Sequence, residues 1–410
     1  MGRCVRAIGT AEWRQSVNQE IGIRRPDESP LHVLTLTPFY PSQGDDVDGC
    51  FVAEPLTALA QSGVFNSVVA VQPIYRRRRV ARPTPPIAQW IRYLCVPGGW
   101  GLSTSGAFLF SRIVGVVRQL HASRPIDVIH AHAPLPCGHA AMLLSRELGI
   151  PYTVSVHGLD AYSNVQVPGR AGEWCRRVSQ AVFRSAGRVI CVSEHVRDQV
   201  LTGAGAARVS VVYNGTDPEL FAPIGAEDPE RQIILSVGNL IPSKGHATLL
   251  RALDAMKSKH PDVVCEIVGS GPEESNLRVL AQELKIDRRV HFLGRLGRQE
   301  LAAAYQRCAL FALPSYYEGL GCVYLEAMAS QRVAVGCRGQ GIDEIIQHQM
   351  NGWLIDPENS ADLADGLSTL LLNHPVRQTI AARARHTILG SLTLTHQAEQ
   401  FVDIYREIAS

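Results

Sequence analysis

The sequence predicts an α/β protein that contains two doubly wound parallel sheets. From residue 31 onward, short apolar runs typical of buried strands alternate with amphipathic helical stretches, the pattern of parallel sheets covered by helices. A stretch containing Pro and acidic residues at 221–230 interrupts the alternation, which then restarts. The chain has 410 residues, more than one hydrophobic core usually supports. We therefore expect two domains, with a ligand bound in the cleft between them.

The composition describes a globular protein with no preference for one class of charged partner. Hydrophobic residues make up 46% of the chain, charged residues make up 19%, and the formal net charge is +2, so nucleic-acid binding is not expected. The ten cysteines form no CxxC pair, which predicts buried thiols in the reducing cytoplasm. No apolar run has membrane-spanning length, and the N-terminus lacks the apolar core of a secretory signal.

The first domain is predicted over residues 31–217, after a polar extension at 1–30 that shows no strong periodicity. Short apolar runs predict the strands Leu31–Thr37, Val68–Val71, Pro125–His130, Tyr152–Val156, Arg188–Val192 and Val209–Tyr213. Helical periodicity predicts the helices Cys50–Ser62, Ser111–His121, Trp174–Ser185 and Glu194–Leu201. Ser193 is the expected cap of the last of these helices.

The second domain, residues 218–390, repeats the same alternation. The predicted strands are Ile233–Val237, Val263–Val268, Val290–Phe292, Ala309–Leu313 and Arg332–Gly336. The predicted helices are His246–Lys257, Glu273–Leu284, Leu301–Arg307, Leu320–Ala329, Ala361–Leu372 and Pro375–Thr387. The remaining residues, 391–410, contain a final helix at Gln397–Ile408.

The loop after the first strand lies where ligands are expected, at the carboxyl edge of the sheet. It ends at Gly49, beside which the ligand of another domain can approach the backbone. The loop has no GxGxxG spacing, so a dinucleotide is not indicated. Asp46-Val47-Asp48 resembles a metal-binding DxD motif, but a solvated acidic loop is the interpretation that we favour.

Two histidines end neighbouring predicted strands. His132 follows the strand at Pro125–His130, and His157 follows the strand at Tyr152–Val156, directly before Gly158. Parallel strands end at the same edge of a sheet, so both imidazoles are expected there. We place His157 in the ligand site; the alternative is a structural histidine.

Residues 75–106 depart from the alternation with a basic and aromatic stretch. Four consecutive arginines, Arg76–Arg79, precede Trp90 and Trp100. This combination favours peripheral contact with an anionic membrane, or an anionic acceptor. A solvated loop is the alternative.

The most informative stretch runs from Ala309 to Ile346. A strand leads into a loop that contains Glu318 and two glycines, and then into a helix that contains Glu326. The start of the helix, at Leu320–Cys322, offers unpaired N–H groups and a partial positive charge that suit phosphate. Two carboxylates roughly 10 Å apart along a helix fit an elongated ligand with a polyhydroxylated ring at each end. The alternative is that both carboxylates serve only the helix and its solvent.

These motifs together resemble the retaining GT-B glycosyltransferases of the GT4 family, from about Leu31 to the end of the chain. The resemblance is carried by HGLD at 157–160, YNGTD at 213–217, GNLIPSKG at 238–245, GSGP at 269–272, FLG at 292–294, and Glu318 with Glu326. It implies two Rossmann-like domains that face each other across a cleft. The first would bind the acceptor and the second a nucleotide sugar, and the last helix would cross back to the first domain.

The resemblance also implies roles for individual residues. Glu318 matches the residue that contacts the hydroxyls of the donor sugar, Glu326 the one that holds the ribose hydroxyls, and Lys244 the lysine that neutralises the diphosphate. The implied catalytic residues are His157, Lys244 and Glu318. The implied donor-binding residues are Gly49, Asn239, Gly269, Arg295, Leu320, Gly321, Cys322 and Glu326. No metal and no cofactor are expected.

One position departs from the family pattern. The family often has Arg after the first glycine of the loop at 238–245, and this chain has Asn239. We therefore expect Lys244 to carry most of the side-chain charge on the diphosphate, unless Arg295 or Arg338 also contributes.

The sequence thus predicts a retaining hexosyltransferase that moves a sugar from a UDP- or GDP-linked donor to a hydroxyl of a carbohydrate or lipid-linked acceptor. Cell-surface polysaccharide or glycolipid synthesis is the expected role, in the cytoplasm or peripherally at the inner face of the membrane. The alternatives are a nucleotide-sugar epimerase or a phosphorylase-like enzyme on the same fold, and a non-catalytic nucleotide-sugar-binding subunit.

Overall fold

The computed structural model describes residues 30–77, 79–81, 88–158, 160, 167, 169–204, 208–225 and 232–410. The predicted extension, apart from Pro30, lies outside the described residues, as do Arg78 of the arginine run and residues 226–230 of the predicted linker. The described residues form two separate parallel sheets. This confirms the predicted fold class.

The first sheet has seven strands in the order β3-β2-β1-β4-β5-β6-β7, and all neighbours are parallel. The strands are β1 His32–Thr37, β2 Phe65–Pro73, β3 Ala88–Tyr93, β4 Val128–His132, β5 Tyr152–Val156, β6 Arg188–Cys191 and β7 Val209–Val211. The accompanying α-helices are α1 Cys50–Gln61, α2 Gly99–Ser123, α3 His139–Leu148, α4 Gly169–Ser185 and α5 Glu194–Ala204. The strand order reverses between β1 and β4, which creates a switch point at that carboxyl edge.

The second sheet has six parallel strands in the order β10-β9-β8-β11-β12-β13, with a switch point between β8 and β11. The strands are β8 Ile233–Val237, β9 Val264–Val268, β10 Val290–Gly294, β11 Leu310–Ala312, β12 Val333–Cys337 and β13 Trp353–Ile355. The α-helices are α6 His246–Met256, α7 Glu274–Glu283, α8 Arg298–Arg307, α9 Cys322–Ala329, α10 Ser360–Leu372, α11 His374–Ser391 and α12 Leu394–Ala409.

The last helix returns to the first domain. In α12, Phe401 and Tyr405 are buried in one apolar cluster with Val33 of β1 and Val52 of α1. The sequence of this helix alternates buried and exposed positions at helical spacing, so burial against α1 fixes which face turns inward.

Four elements differ most from the sequence prediction. β3, α3 and β13 were not predicted, and α2 begins at Gly99 rather than at Ser111. The first turns of α2 are rich in Gly, Ser and Thr, which are poor helix formers. Their helical conformation depends on tertiary packing, which periodicity within the segment does not report.

Helix α2 is the one described helix that is long and apolar enough, between Trp100 and Ser123, to cross a membrane by length and composition. Three of its side chains, Leu109, Ile113 and Val117, are fully buried in the apolar core of the first domain. Such packing is typical of a core helix.

Candidate active site between the two sheets

The two domains touch through loops at the carboxyl edges of their sheets. Gly319, in the loop after β11, lies so close to the loop after β5 that a Cβ at this position would be 2.3 Å from the carbonyl oxygen of His157. Ser193 Oγ, at the start of α5, donates a hydrogen bond of 2.6 Å to the Gly319 carbonyl oxygen. Only glycine permits this approach, so the loop of Glu318 and the loop of His157 are held together.

Lys244 and Glu318 form an ion pair at the switch point of the second sheet. The ammonium group contacts Glu318 Oε2, and the two side chains are 18% and 13% exposed, respectively. The Glu318 backbone N–H is fixed by the Gln340 side chain, with an N to Oε1 distance of 3.1 Å. The structure therefore brings together two of the three predicted catalytic residues, from segments 74 residues apart.

The position of Lys244 follows from the close packing of two loops. Gly245 has a φ of +70°, and a Cβ there would lie 2.0 Å from the carbonyl oxygen of Pro314. The Tyr316 N–H also donates to the Ser243 carbonyl oxygen at 3.0 Å. The loop after β8 is thereby attached to the loop after β11, which carries Lys244 to Glu318.

The start of α9 is placed beside this ion pair by Leu320 and Gly321, directly after the Glu318 loop. The first helical residue, Cys322, accepts a hydrogen bond on Sγ from Asn214 Nδ2 of the first domain at 3.3 Å. Burial, reinforced by the nearby Glu326 and Glu54, raises the pKa of the Cys322 thiol to about 12. The thiol is therefore neutral at physiological pH, and what the helix start offers an anion is backbone N–H and its dipole.

Glu326 lies in a buried network that the sequence analysis did not anticipate. Its Oε1 is bound by Arg298 Nη1 at 2.6 Å and its Oε2 by the Tyr305 hydroxyl at 3.0 Å, and the side chain is only 3% exposed. Arg298 Nη2 also reaches Glu54 Oε2 of helix α1 at 2.9 Å. Burial raises the pKa of Glu54 to about 7, opposed by the Arg298 charge. The predicted contact of Glu326 with a ribose would therefore be made by a carboxylate whose orientation Arg298 and Tyr305 already set.

His132 and His157 end the neighbouring strands β4 and β5, as expected. His132 Nδ1 and His157 Nε2 lie 3.0 Å apart, and their rings stack with centroids 5.3 Å apart. Burial lowers the pKa of His157 to about 4 and that of His132 well below its usual value. His157 Nδ1 is buried and has no hydrogen-bond partner among the residues described. Both imidazoles are therefore neutral at physiological pH.

The remaining predicted donor-binding residues surround the switch points without forming one cluster. Gly49 begins α1 against the backbone of Phe39 and Tyr40. Gly269 donates its N–H to the Gly294 carbonyl oxygen at 2.8 Å. Asn239 is exposed after β8.

The acidic loop before α1 engages basic groups. Asp45 pairs with Arg295 at 3.0 Å, Asp48 pairs with Arg79, and Asp46 Oδ2 accepts the backbone N–H of Arg298 at 3.3 Å. In the part of the chain that the structure describes, no three His, Cys, Asp or Glu side chains cluster in a way that could hold a metal ion. Arg295, one of the predicted donor-binding residues, reaches the first domain through this pair and is half exposed.

Comparison with known proteins gives two family matches that together span most of the chain. Residues 32–220 match the family described as Glycosyltransferase Family 4, and residues 219–387 match glycosyl transferases group 1. A D-inositol 3-phosphate glycosyltransferase of Mycobacterium sp. is 31% identical over 290 residues, which are 65% of this chain and 64% of that protein.

Solved structures share the two-domain architecture. Sucrose-phosphate synthase from Thermosynechococcus elongatus superposes with a TM-score of 0.74 at 21% identity, over 92% of this chain and 98% of that chain. Anabaena HepE in complex with UDP-glucose has a TM-score of 0.70 at 19% identity, over 91% and 98% of the two chains. At such identities the likeness establishes the fold.

Proposed function

The chain is a GT-B glycosyltransferase of the GT4 type, and we propose that it transfers a hexose from a nucleoside diphosphate to an acceptor hydroxyl with retention of the anomeric configuration. The observation that carries the proposal is the contact of Lys244 with Glu318 at one switch point, held against His157 by the close approach of Gly319. This arrangement places a cation, a carboxylate and a neutral imidazole around one cleft.

The proposed donor contacts follow from charge. A diphosphate entering beside the start of α9 would compete with Glu318 for the Lys244 ammonium group, which leaves the Glu318 carboxylate free to accept sugar hydroxyls. During transfer, negative charge grows on the departing diphosphate, where Lys244 and the α9 N–H groups would stabilise it. Glu326 would hold the ribose, and His157 would lie near the reacting carbon of the sugar.

The donor class is supported by the named relatives. HepE, which shares the fold, is described in complex with UDP-glucose, so a nucleotide sugar fits this architecture. For this chain we propose a UDP- or GDP-linked hexose and a carbohydrate or lipid-linked acceptor, in polysaccharide or glycolipid synthesis. The proposed reaction requires no metal, because the Lys244 ammonium group and the start of α9 would stabilise the diphosphate in place of a metal ion.

The experiment measures thermal unfolding of the purified protein with a panel of UDP- and GDP-sugars, because a ligand that binds only the folded state raises Tm. We expect one nucleotide sugar to raise Tm. We also expect the protein to hydrolyse that sugar slowly without acceptor, at the same rate with and without EDTA. A donor that raises Tm but is never hydrolysed or transferred would indicate a binding subunit, and conversion to an isomeric nucleotide sugar would indicate an epimerase. Loss of activity with EDTA and its return with Mn²⁺ would make Asp46 and Asp48 metal ligands.

A further inference from the structure

One segment of the first domain is free of acidic residues over its whole length. Residues 55–126 contain no Asp or Glu and nine Arg, in a chain whose net charge is only +2. The segment includes β2 and β3, which form one end of the first sheet with β3 as its edge strand, and helix α2, which contacts β3. Positive charge is therefore concentrated at one end of the molecule.

The same end exposes large apolar side chains. Leu94 is 63% exposed and Trp100 is 58% exposed. Nearly half of the large exposed apolar side chains of the described residues lie here: Ile74, Tyr75, Val80, Leu94, Val96, Trp100 and Phe108. Single exposed apolar residues are ordinary, but a group of them on one surface usually marks an interaction site.

Specific contacts join these residues into one surface. The Arg92 guanidinium of β3 donates to the carbonyl oxygens of Ile74 and, at 3.2 Å, of Arg76, which ties the loop after β2 to the edge strand. The Cys95 thiol contacts the Gly101 carbonyl oxygen at 3.5 Å, which ties the loop after β3 to the start of α2. We call the surface formed by residues 74–77, 79–81, 92–100 and the outer side of α2 the arginine face.

Several charges on this face are not compensated. Arg79 pairs with Asp48, and Arg118 pairs with Glu147. Arg76, Arg77 and Arg112 are exposed and have no side-chain ion pair among the described residues. A partner that supplies negative charge beside apolar groups would satisfy both features.

We propose that the arginine face docks on the surface of an anionic lipid bilayer. Arginines bind lipid phosphates, and Trp and aliphatic side chains insert at the level of the headgroups. A soluble polyanion would bind the arginines but would make no favourable apolar contact with Leu94 and Trp100. Because Leu109, Ile113 and Val117 of α2 are buried in the protein core, the helix would lie on the membrane rather than cross it.

The location of the face gives the docking a purpose beyond the proposed transfer reaction. The loops after β2 and β3 leave the sheet at the same carboxyl edge as β4 and β5, which end at His132 and His157. A docked molecule would hold the mouth of the cleft near the headgroups. An acceptor attached to a lipid could then reach the cleft without leaving the bilayer.

The test is flotation of the full-length protein with vesicles of phosphatidylcholine alone and of phosphatidylcholine mixed with phosphatidylglycerol. We expect recovery with the anionic vesicles only, decreasing with salt because exposed charges are screened. Reversing two charges in R76E/R77E should lower the partition coefficient about thirtyfold or more, from about fivefold for each lost arginine contact. L94S/W100S should also lower it, and hydrolysis of the donor without acceptor should be unchanged in both variants.

The matched control is R251E/R288E, which makes the same change of charge at exposed positions of the second domain. The proposal is overturned by equal recovery with neutral and anionic vesicles, or by equal loss in the control. It is also overturned if heparin binds through Arg76 and Arg77 while L94S/W100S floats like the wild type, which would indicate a polyanion site. If light scattering shows a dimer of the wild type and a monomer of L94S/W100S, the arginine face instead binds a second copy of the chain.

Discussion

At the residue scale, the site depends on imidazoles that burial keeps neutral. His130 stacks on His132 with ring centroids 4.4 Å apart and is held by the Tyr405 hydroxyl at 2.6 Å and Ser155 Oγ at 2.7 Å. His132 in turn contacts His157. The last helix, which carries Tyr405, therefore supports His157 through a row of side chains, each with its pKa lowered by burial.

This burial predicts a dependence of stability on pH. The pKa of His157 is about 4 in the folded protein against about 6.5 in an unfolded chain. As the pH falls from 6.5 to 4, the unfolded chain binds a proton that the folded protein does not, so stability is lost in this window. Between pH 7.5 and pH 5, His157 alone should account for about 2 kcal/mol of the loss in the free energy of unfolding.

Urea unfolding at pH 7.5 and pH 5 measures this contribution. H157N should lose about 2 kcal/mol less than the wild type between the two pH values. H291N, which changes an exposed histidine of β10, is the control and should lose as much as the wild type. An equal loss in H157N and H291N would show that His157 is not held neutral.

Sequence motifs predicted some site residues and could not predict others. His157, Lys244 and Glu318 each follow a predicted strand within a recognisable loop, so their position could be read from the sequence. Arg298 could not be identified, because its partners lie 28 and 244 residues away. Its role depends on how the domains are assembled, and its own segment looks like an ordinary helix start.

At the element scale, Arg298 joins three helices. It begins α8, binds Glu326 of α9 and reaches Glu54 of α1 in the first domain. Removing one member of a buried ion network leaves the others without compensation, which is more costly than losing an exposed pair. Arg298 thus orients Glu326, the residue predicted to bind the ribose, and connects the two domains.

R298A is predicted to lower the free energy of unfolding by about 3–5 kcal/mol, because Glu326 is left buried without its cation. E54Q should cost much less, because burial already raises the pKa of Glu54 to about 7 and leaves it partly protonated at neutral pH. The control is R307A, on the same helix, whose pair with Glu266 is partly exposed and should contribute about 1 kcal/mol or less. Urea unfolding measures the free energy of unfolding of each variant. If R298A lowers it no more than R307A does, Arg298 does not hold a buried ion network together.

Two of the differences from the sequence prediction, β3 and the start of α2, share a physical cause. β3 is a short edge strand between arginine- and proline-containing loops, and the start of α2 has weak helix propensity. Both form because neighbours bury them, through β2 for the strand and the domain core for the helix. The strands β5 and β8 matched the prediction at both ends because each is a short, mostly apolar run whose limits can be read from its own sequence.

At the scale of the whole molecule, contacts between the domains hold the cleft closed. Glu344 of the second domain accepts the N–H groups of Glu194 and His195, at 2.8 and 2.7 Å, and the Tyr213 hydroxyl at 3.0 Å. A carboxylate of one domain thus caps helix α5 of the other, where the helix dipole favours it. Opening the cleft requires this cap to be broken.

E344A should therefore favour the open form and raise the KM for the donor by about tenfold, the effect of losing a helix cap of about 1.4 kcal/mol. Its radius of gyration in small-angle X-ray scattering should exceed that of the wild type. D343A removes the neighbouring acid, whose side chain accepts the Gly339 N–H of its own domain at 2.8 Å, and serves as the control. If E344A and D343A behave alike, Glu344 does not hold the cleft closed.

We propose that the diphosphate leaves from the site formed by Lys244 and Glu318, and the initial rate of transfer shows whether it does. Because the neighbouring Asn239 carries no charge, K244A should lower kcat about a hundredfold, or about 3 kcal/mol. E318Q should lower kcat by a comparable factor, because it weakens the proposed contact with the hydroxyls of the donor sugar. N239R should leave donor binding unchanged or tighten it.

The control is K257A, which removes a lysine paired with Asp254 on the surface of the same domain and should retain wild-type rates. All variants are compared by kcat and by kcat/KM for the identified donor, with Tm measured to verify folding. We expect the K244A protein to be folded and to have about one hundredth of the wild-type kcat. A K244A protein with near-wild-type kcat/KM would show that the diphosphate binds elsewhere and would contradict the account.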